Sequence, residues 1–416
     1  MRYLTAALMI LVSQLAMAND PAFDQPSETQ AKLPDPFVML DGTPIETPKQ
    51  WREQRRPELL RLFQEHVYGF LPPVGKIEAT VTKTVPDLLD GRATLKEIEI
   101  RFPFLECETA PVLHLALVVP NDAESPAPVF LGLNRRGNHA ILNDERITPT
   151  PNADDSNFPT SRGDGADTWC VSQLVDRGYA FATFVVDDID PDKHDFTDGL
   201  HACLTYEGMP TASRPGTIAA WAWGIHRAVD YLATDPAIDA RRICVIGHSR
   251  RGKTALFAAA TDQRIALVVP HQSGTGGMAL SRDNDQETVA RINRVFPHWF
   301  CDRFNNYNDN EGALPVDQHL LVALVAPRPL LDTAGLKDTW ANYESALRNL
   351  RAADEVYEFL GKRGLVGSGV LTENNAITQE TTGEIAQYRL DTKHVLNSDY
   401  WKAILDFADL NLRTRE

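Results

Sequence analysis

Apolar and polar positions along the chain follow two periods. Short apolar runs bounded by polar turn residues recur at 95–102, 113–119, 128–133, 181–186, 243–246 and 265–269. Runs of this length predict strands, and their near-continuous apolar character predicts strands buried on both faces. A further strand begins at 329–331, and 356–360 reads as another. Between them, apolar residues at helical spacing predict helices over 51–67, 215–232 (with Pro215 at its start), from Lys253 onward, 342–350 and 399–412. Strands alternating with helices predict a mainly parallel central sheet flanked by helices, an α/β fold. Two stretches depart from the pattern. Residues 279–327 set Trp299, Phe300, Phe304 and Tyr307 among polar residues and are expected to form a cap insertion. Residues 361–390, rich in Gly, Thr and Asn, are expected to form a long surface loop.

The two ends of the pattern differ from its middle. Arg2 precedes an apolar run from Leu4 to Leu15 that ends at Ala16-Met17-Ala18, which predicts a secretory signal peptide over residues 1–18. Residues 19–50, rich in Pro, Asp and Thr, read as an extended N-terminal arm, and 51–416 as one domain without repeats or a separating linker. No second long apolar stretch follows, so no membrane insertion is expected after cleavage. The formal charge is −16, and loss of Arg2 takes it to −17. So acidic a chain excludes nucleic acid as a partner, because phosphate binding needs a basic stripe. Five cysteines (Cys107, Cys170, Cys203, Cys244, Cys301) form no C-x-x-C pair and no Cys/His metal cluster, so no metal and no organic cofactor is expected. Cys244 reads as a core residue, and the pairing of the others is left open.

The candidate chemistry lies at Gly247-His248-Ser249-Arg250-Arg251-Gly252-Lys253. A strand, a serine between close glycines and a small-residue helix make a nucleophile elbow of the α/β-hydrolase type, which lifts the hydroxyl on a sharp turn above the sheet. The helix N-terminus adds free N–H groups where an oxyanion would form. The spacing is G-x-S-x-x-G, not the usual G-x-S-x-G. In such folds the acid and the histidine follow the serine in that order. His271, His298, His319 and His394 are candidate bases, and His394, just before the last helix, fits best; His248 is expected to tuck beside the elbow. For the acid, Asp338 lies in the loop after a late strand, whereas Asp332 lies still on the strand. Arg250 is expected at the oxyanion hole. Arg135, Arg136, Asn138 and His139 form a polar cluster after an early strand and either complete that hole or serve the structure.

With these residues in view, the chain resembles the glucuronoyl esterases, carbohydrate esterase family 15. The likeness is carried by the Ser249-Arg250-x-Gly252-Lys253 elbow, by residues 269–277, by Pro297-His298-Trp299-Phe300, by Lys337-Asp338-Thr339-Trp340-Ala341, and by the block from His394 to Asp406. Residues 132–139 and 216–221 are similar to bacterial members, so the likeness covers roughly 40–412. It implies hydrolysis of an ester between (4-O-methyl)glucuronate on xylan and an alcohol, typically of lignin. It further implies Ser249 as nucleophile, His394 as base, Arg250 at the oxyanion, and Lys253 and Trp299 on the sugar. Gln272 stands where many members carry a glutamate that binds sugar or serves as triad acid; an amide cannot be that acid, so Gln272 is expected with Lys253 and Trp299 on the substrate. The acid is therefore expected at Asp338. The expected partner is a plant or algal polysaccharide uronate ester, with a monomer favoured and a periplasmic or secreted location. An acetylxylan or other carbohydrate esterase is the nearest alternative, and a non-catalytic glycan-binding protein the alternative of another class.

Overall fold

A computed structural model describes residues 32–123, 126–151 and 160–412. The expected signal peptide and the first part of the arm lie outside the described residues. Ten strands form one sheet: β1 (Glu78–Leu88), β2 (Ala93–Arg101), β3 (Leu113–Pro120), β4 (Ala127–Asn134), β5 (Ala180–Val185), β6 (Ile238–His248), β7 (Ile265–His271), β8 (Leu330–Gly335), β9 (Val370–Thr372) and β10 (Ile385–Leu390). Their order is β1-β2-β3-β5-β4-β6-β7-β8-β10-β9. The β1–β2, β2–β3 and β3–β5 pairs are antiparallel, and every pair from β5–β4 to β10–β9 is parallel. The expected mainly parallel sheet is present.

Apolar cores cover both faces. One packs the helices Thr217–Leu232, Arg250–Thr261 and Gln318–Val325 against one face, with Trp221, Trp223, Phe257 and Leu321 fully buried. The other packs Ser398–Leu412 through Tyr400, Trp401 and Phe407. Burial on both faces explains why β4 and β5 read as unbroken apolar runs. The arm is tied down where it is described: Arg55 donates to the Pro36 carbonyl and His319 contacts the Pro34 carbonyl. Cys107 and Cys203 form a disulfide, while Cys170, Cys244 and Cys301 are outside it as thiols.

Two expectations are corrected, one strand was not foreseen, and the insertion is more ordered than expected. The strand expected at 356–360 is the end of the helix Tyr343–Phe359. Val356 and Tyr357 fall on the same buried face as Leu350 and Ala353, so the apolar run continues a helical stripe. The loop expected over 361–390 ends in strand β10, between β8 and β9, with Gln387 buried and paired to Asp332. Strand β1 was unexpected because it is a largely exposed edge with a polar sequence. Residues 279–327 do form an insertion, but it holds the helices Val289–Val295 and Gln318–Val325, the second packed into the core.

Candidate active site

The parallel strands end together, and their C-terminal ends carry the site, where open α/β sheets leave a crevice. Ser249 follows β6 with φ 63° and ψ −128°, a strained conformation for a residue with a side chain. Its N–H donates to the His271 carbonyl at 3.0 Å, and its own carbonyl accepts from Gly252 and Lys253 as the helix Arg250–Thr261 begins. The two glycines are steric requirements of that turn. A Cβ on Gly247 would lie 1.9 Å from the Arg251 carbonyl oxygen, and one on Gly252 2.9 Å from the Gly247 oxygen. Moving the second glycine one place beyond the usual spacing therefore keeps the strand and the first helical turn in contact.

His394 follows β10, and its Nδ1 meets Asp338 Oδ2 at 2.5 Å. Asp338 is buried and follows β8. Ser249, Asp338 and His394 line one cavity, and Ser249 and His394 also line a second. Asp332 is elsewhere: it accepts from Gln387 Nε2 at 2.7 Å, and burial pushes its carboxyl up to about 6. Between Asp338 and Asp332, only Asp338 reaches His394.

The remaining histidines have structural partners. His298 Nε2 meets Asp192 and His319 Nε2 meets the Pro34 carbonyl. His271 Nδ1 meets Thr333 Oγ1 at 2.7 Å and its Nε2 meets the Val395 carbonyl at 2.9 Å. Gln272 Nε2 donates to the Lys393 carbonyl at 3.1 Å. The end of β7 thus grips the main chain on both sides of His394. His248 does tuck beside the elbow, its ring centroid 4.3 Å from that of His394. Burial, then the nearby His271 and His394, holds His248 well below its ordinary value, and burial pushes His271 down to about 3. Both rings stay neutral, so neither repels a protonated His394.

Arg250 folds over the elbow. Its guanidinium donates to Asp192 Oδ2 at 2.5 Å and lies 4.3 Å from the Trp299 ring and 4.7 Å from Phe296. Asp192 Oδ1 accepts from Trp299 Nε1 and meets His298 Nε2, both at 2.9 Å. Burial raises the Asp192 carboxyl, but the contacts with His298, Arg250 and Trp299 outweigh it and hold the group well below the usual carboxylate range. Asp192 had no sequence signal beyond an acidic stretch after β5.

Lys253 is 2% exposed, and its ammonium donates to the Ser273 and Thr275 carbonyls at 2.6 Å each and to Glu287 at 2.9 Å. Burial lowers its pKa, against the opposing charge of Glu287. Lys253, Gln272, Glu287 and Trp340 line the cavity of about 220 Å³ that contains Ser249, Asp338 and His394. Trp299 is placed differently from the expectation. It is 2% exposed and stacked on Phe296 at 3.7 Å, with its other neighbours Arg250 and Asp192, so its ring is committed inside the protein. The aromatic wall of this cavity is instead Trp340, 38% exposed. In the polar cluster, Asn138 and His139 make internal bonds to the His114 and Thr160 carbonyls, while Arg135 and Arg136 line the second cavity. Among the described residues no group of three or more His, Cys, Asp or Glu side chains could hold a metal ion.

Comparison with known proteins places the chain in a family. The family model described as "Glucuronyl esterase, fungi" matches residues 146–361. The chain is 40% identical over 400 residues to carbohydrate esterase MZ0003 from an unknown prokaryotic organism, covering 93% of this chain and 91% of that one. It is 30% identical to 4-O-methyl-glucuronoyl methylesterase 1 of Wolfiporia cocos, over 81% of this chain and 74% of that one. A solved structure of a promiscuous CE15 esterase from a marine bacterial metagenome superposes with a TM-score of 0.83 at 39% identity, covering 92% and 97% of the two chains. With that likeness over almost its whole length, the chain is an α/β-hydrolase and a carboxylic ester hydrolase of the glucuronoyl esterase family, carbohydrate esterase family 15.

Proposed function

We propose that this chain hydrolyses glucuronoyl esters of an alcohol through an acyl-enzyme on Ser249. The observation that carries the reading is the 2.5 Å Asp338–His394 pair in the same cavity as the strained Ser249, Lys253, Glu287 and Trp340. A serine hydroxyl needs a base, and the base needs a partner that fixes its tautomer. Asp338 holds the Nδ1–H of His394, which leaves Nε2 to take the Ser249 proton. Ser249 Oγ attacks the ester carbonyl carbon. The oxyanion forms over the N-terminus of the helix Arg250–Thr261, with the Arg250 guanidinium held near by Asp192. His394 returns its proton to the departing alcohol, then activates a water that releases the uronate as its carboxylate.

On this reading the sugar stacks on Trp340 and meets Glu287 and the groups around Lys253. Gln272, with its amide turned to the Lys393 carbonyl, acts on the His394 loop. We place the ester in a polysaccharide uronate linked to a lignin alcohol, following the resemblance. We also propose an exported protein folded as one domain over 51–416; the leader-like residues 1–18 and the Cys107–Cys203 disulfide support export. No helix among the described residues is long and apolar enough to cross a membrane.

The test is initial rates on benzyl glucuronate and on an acetylated xylose, with the wild type and Ser249→Ala. We expect turnover of the uronate ester that the substitution abolishes. Preference for the acetyl ester would replace this reading with an acetylesterase.

A further inference from the structure

The second cavity beside Ser249, about 440 Å³, is electrically unlike the rest of the molecule. The chain carries a net charge of −16, yet among the described residues Arg135, Arg136, Arg250 and Arg251 all line this space and no aspartate or glutamate does. Arg250 is neutralised by Asp192, and Arg136 donates to the Asp164 carbonyl. Arg251 is different. It sits in the first turn of the elbow helix, is 9% exposed, and among the described residues its guanidinium makes no hydrogen bond or ion pair. Burial first, and then the charges of Arg250 and Arg135, press on its protonated form, and Asp192 and Asp187 oppose them with smaller effects. A buried cation without a counter-charge is costly, and a guanidinium presents a fork of donors that fits a carboxylate.

The two cavities divide the ester between them. The one with Trp340 contains Glu287 and Asp338, which would repel a second anion, and suits a neutral sugar ring. The arginine-lined one adds Trp169 and Leu133 as apolar wall, and shares only Ser249 and His394 with the other. We propose that it receives the alcohol half of the ester, and that the alcohol it favours is an aromatic one bearing a carboxylate held by Arg251. The proposal rests on the glucuronoyl esterase reading and adds the chemistry of the leaving group.

The test compares kcat/KM on the glucuronate esters of 4-(hydroxymethyl)benzoate and of benzyl alcohol. One charge-assisted contact is worth roughly tenfold in preference. The wild type is expected to favour the carboxylated ester by about tenfold, less as ionic strength rises. Arg251→Gln should bring the ratio to near unity, and Arg251→Lys should keep part of it. A wild-type ratio near unity, or one that Arg251→Gln leaves unchanged, overturns the proposal. Because loss of a buried arginine can unfold the elbow, inhibition of the wild type by the two free alcohols is measured alongside. Equal inhibition, or displacement of 4-(hydroxymethyl)benzoate by free glucuronate, also overturns it, the latter by assigning the arginines to the product acid. If Ser249→Ala turns over both esters like the wild type, the esterase reading itself fails; equal Ser249-dependent turnover refutes only the leaving-group proposal.

Discussion

Asp332 and Asp338 lie six positions apart in the sequence, and what separates them is the company each keeps. Asp338 is hydrogen-bonded to His394, while Asp332 is bonded to Gln387 across the β8–β10 pair. Asp338→Asn should therefore lower kcat by about 10³–10⁴-fold, the loss expected when the base adopts the wrong tautomer. Asp332→Asn should leave kcat near wild type and change mainly stability, by about 1 kcal/mol. Steady-state kinetics and urea melts on the two variants check this, and the reverse order of effects would move the acid to Asp332. Ser249, His394 and Asp338 were readable from chain order and spacing. Trp299 was misplaced because its sequence neighbourhood gives no sign that Asp192, far earlier in the chain, draws its indole inward. Trp340, two residues beyond Asp338, occupies the cavity instead.

Strands deliver these side chains, and β7 shows how an element can act on a residue it does not contain. His271 and Gln272 at its end bond the carbonyls of Val395 and Lys393, so the loop that carries His394 is held from below. Burial, not these contacts, keeps the His271 ring neutral, with its Nε2–H donating to the Val395 carbonyl. Its folded-state pKa of about 3 lies below the ordinary value of 6.5. The unfolded chain therefore takes up this proton as pH falls below 6.5 while the folded chain does not. Stability is complete above that pH and is lost towards pH 3, by about 1.4 kcal/mol per pH unit from this ring. Urea midpoints at pH 7 and pH 5 should differ more in the wild type than in His271→Asn; parallel slopes would contradict the assignment. The same element scale limits what a sequence shows. Strands buried on both faces stood out, but β10 was hidden by Gln387, paired inside the fold with Asp332, and by Arg389, which reaches the exposed Glu344. The helical identity of 356–360 was hidden because five residues cannot reveal a period of 3.6 without the turns before them.

Across the whole molecule, an acidic body surrounds a small basic region built around one serine. The sheet brings Ser249, Asp338 and His394 to one edge, and two cavities of different chemistry meet there. Nothing in composition announced this division, because the four arginines come from the loop after β4 and the first turn of the elbow helix, more than a hundred residues apart. Their convergence is a product of the strand order, which sets β4 directly beside β6. The central claim is covalent chemistry at Ser249, and rapid acid quench of the wild type with benzyl glucuronate, followed by intact-protein and peptide mass spectrometry, tests it most directly. The account predicts a transient mass gain of one glucuronoyl group, mapped to Ser249 and absent from Ser249→Ala. Benzyl alcohol released by the wild type with no adduct at any quench time, and at an undiminished rate by Ser249→Ala, would contradict it.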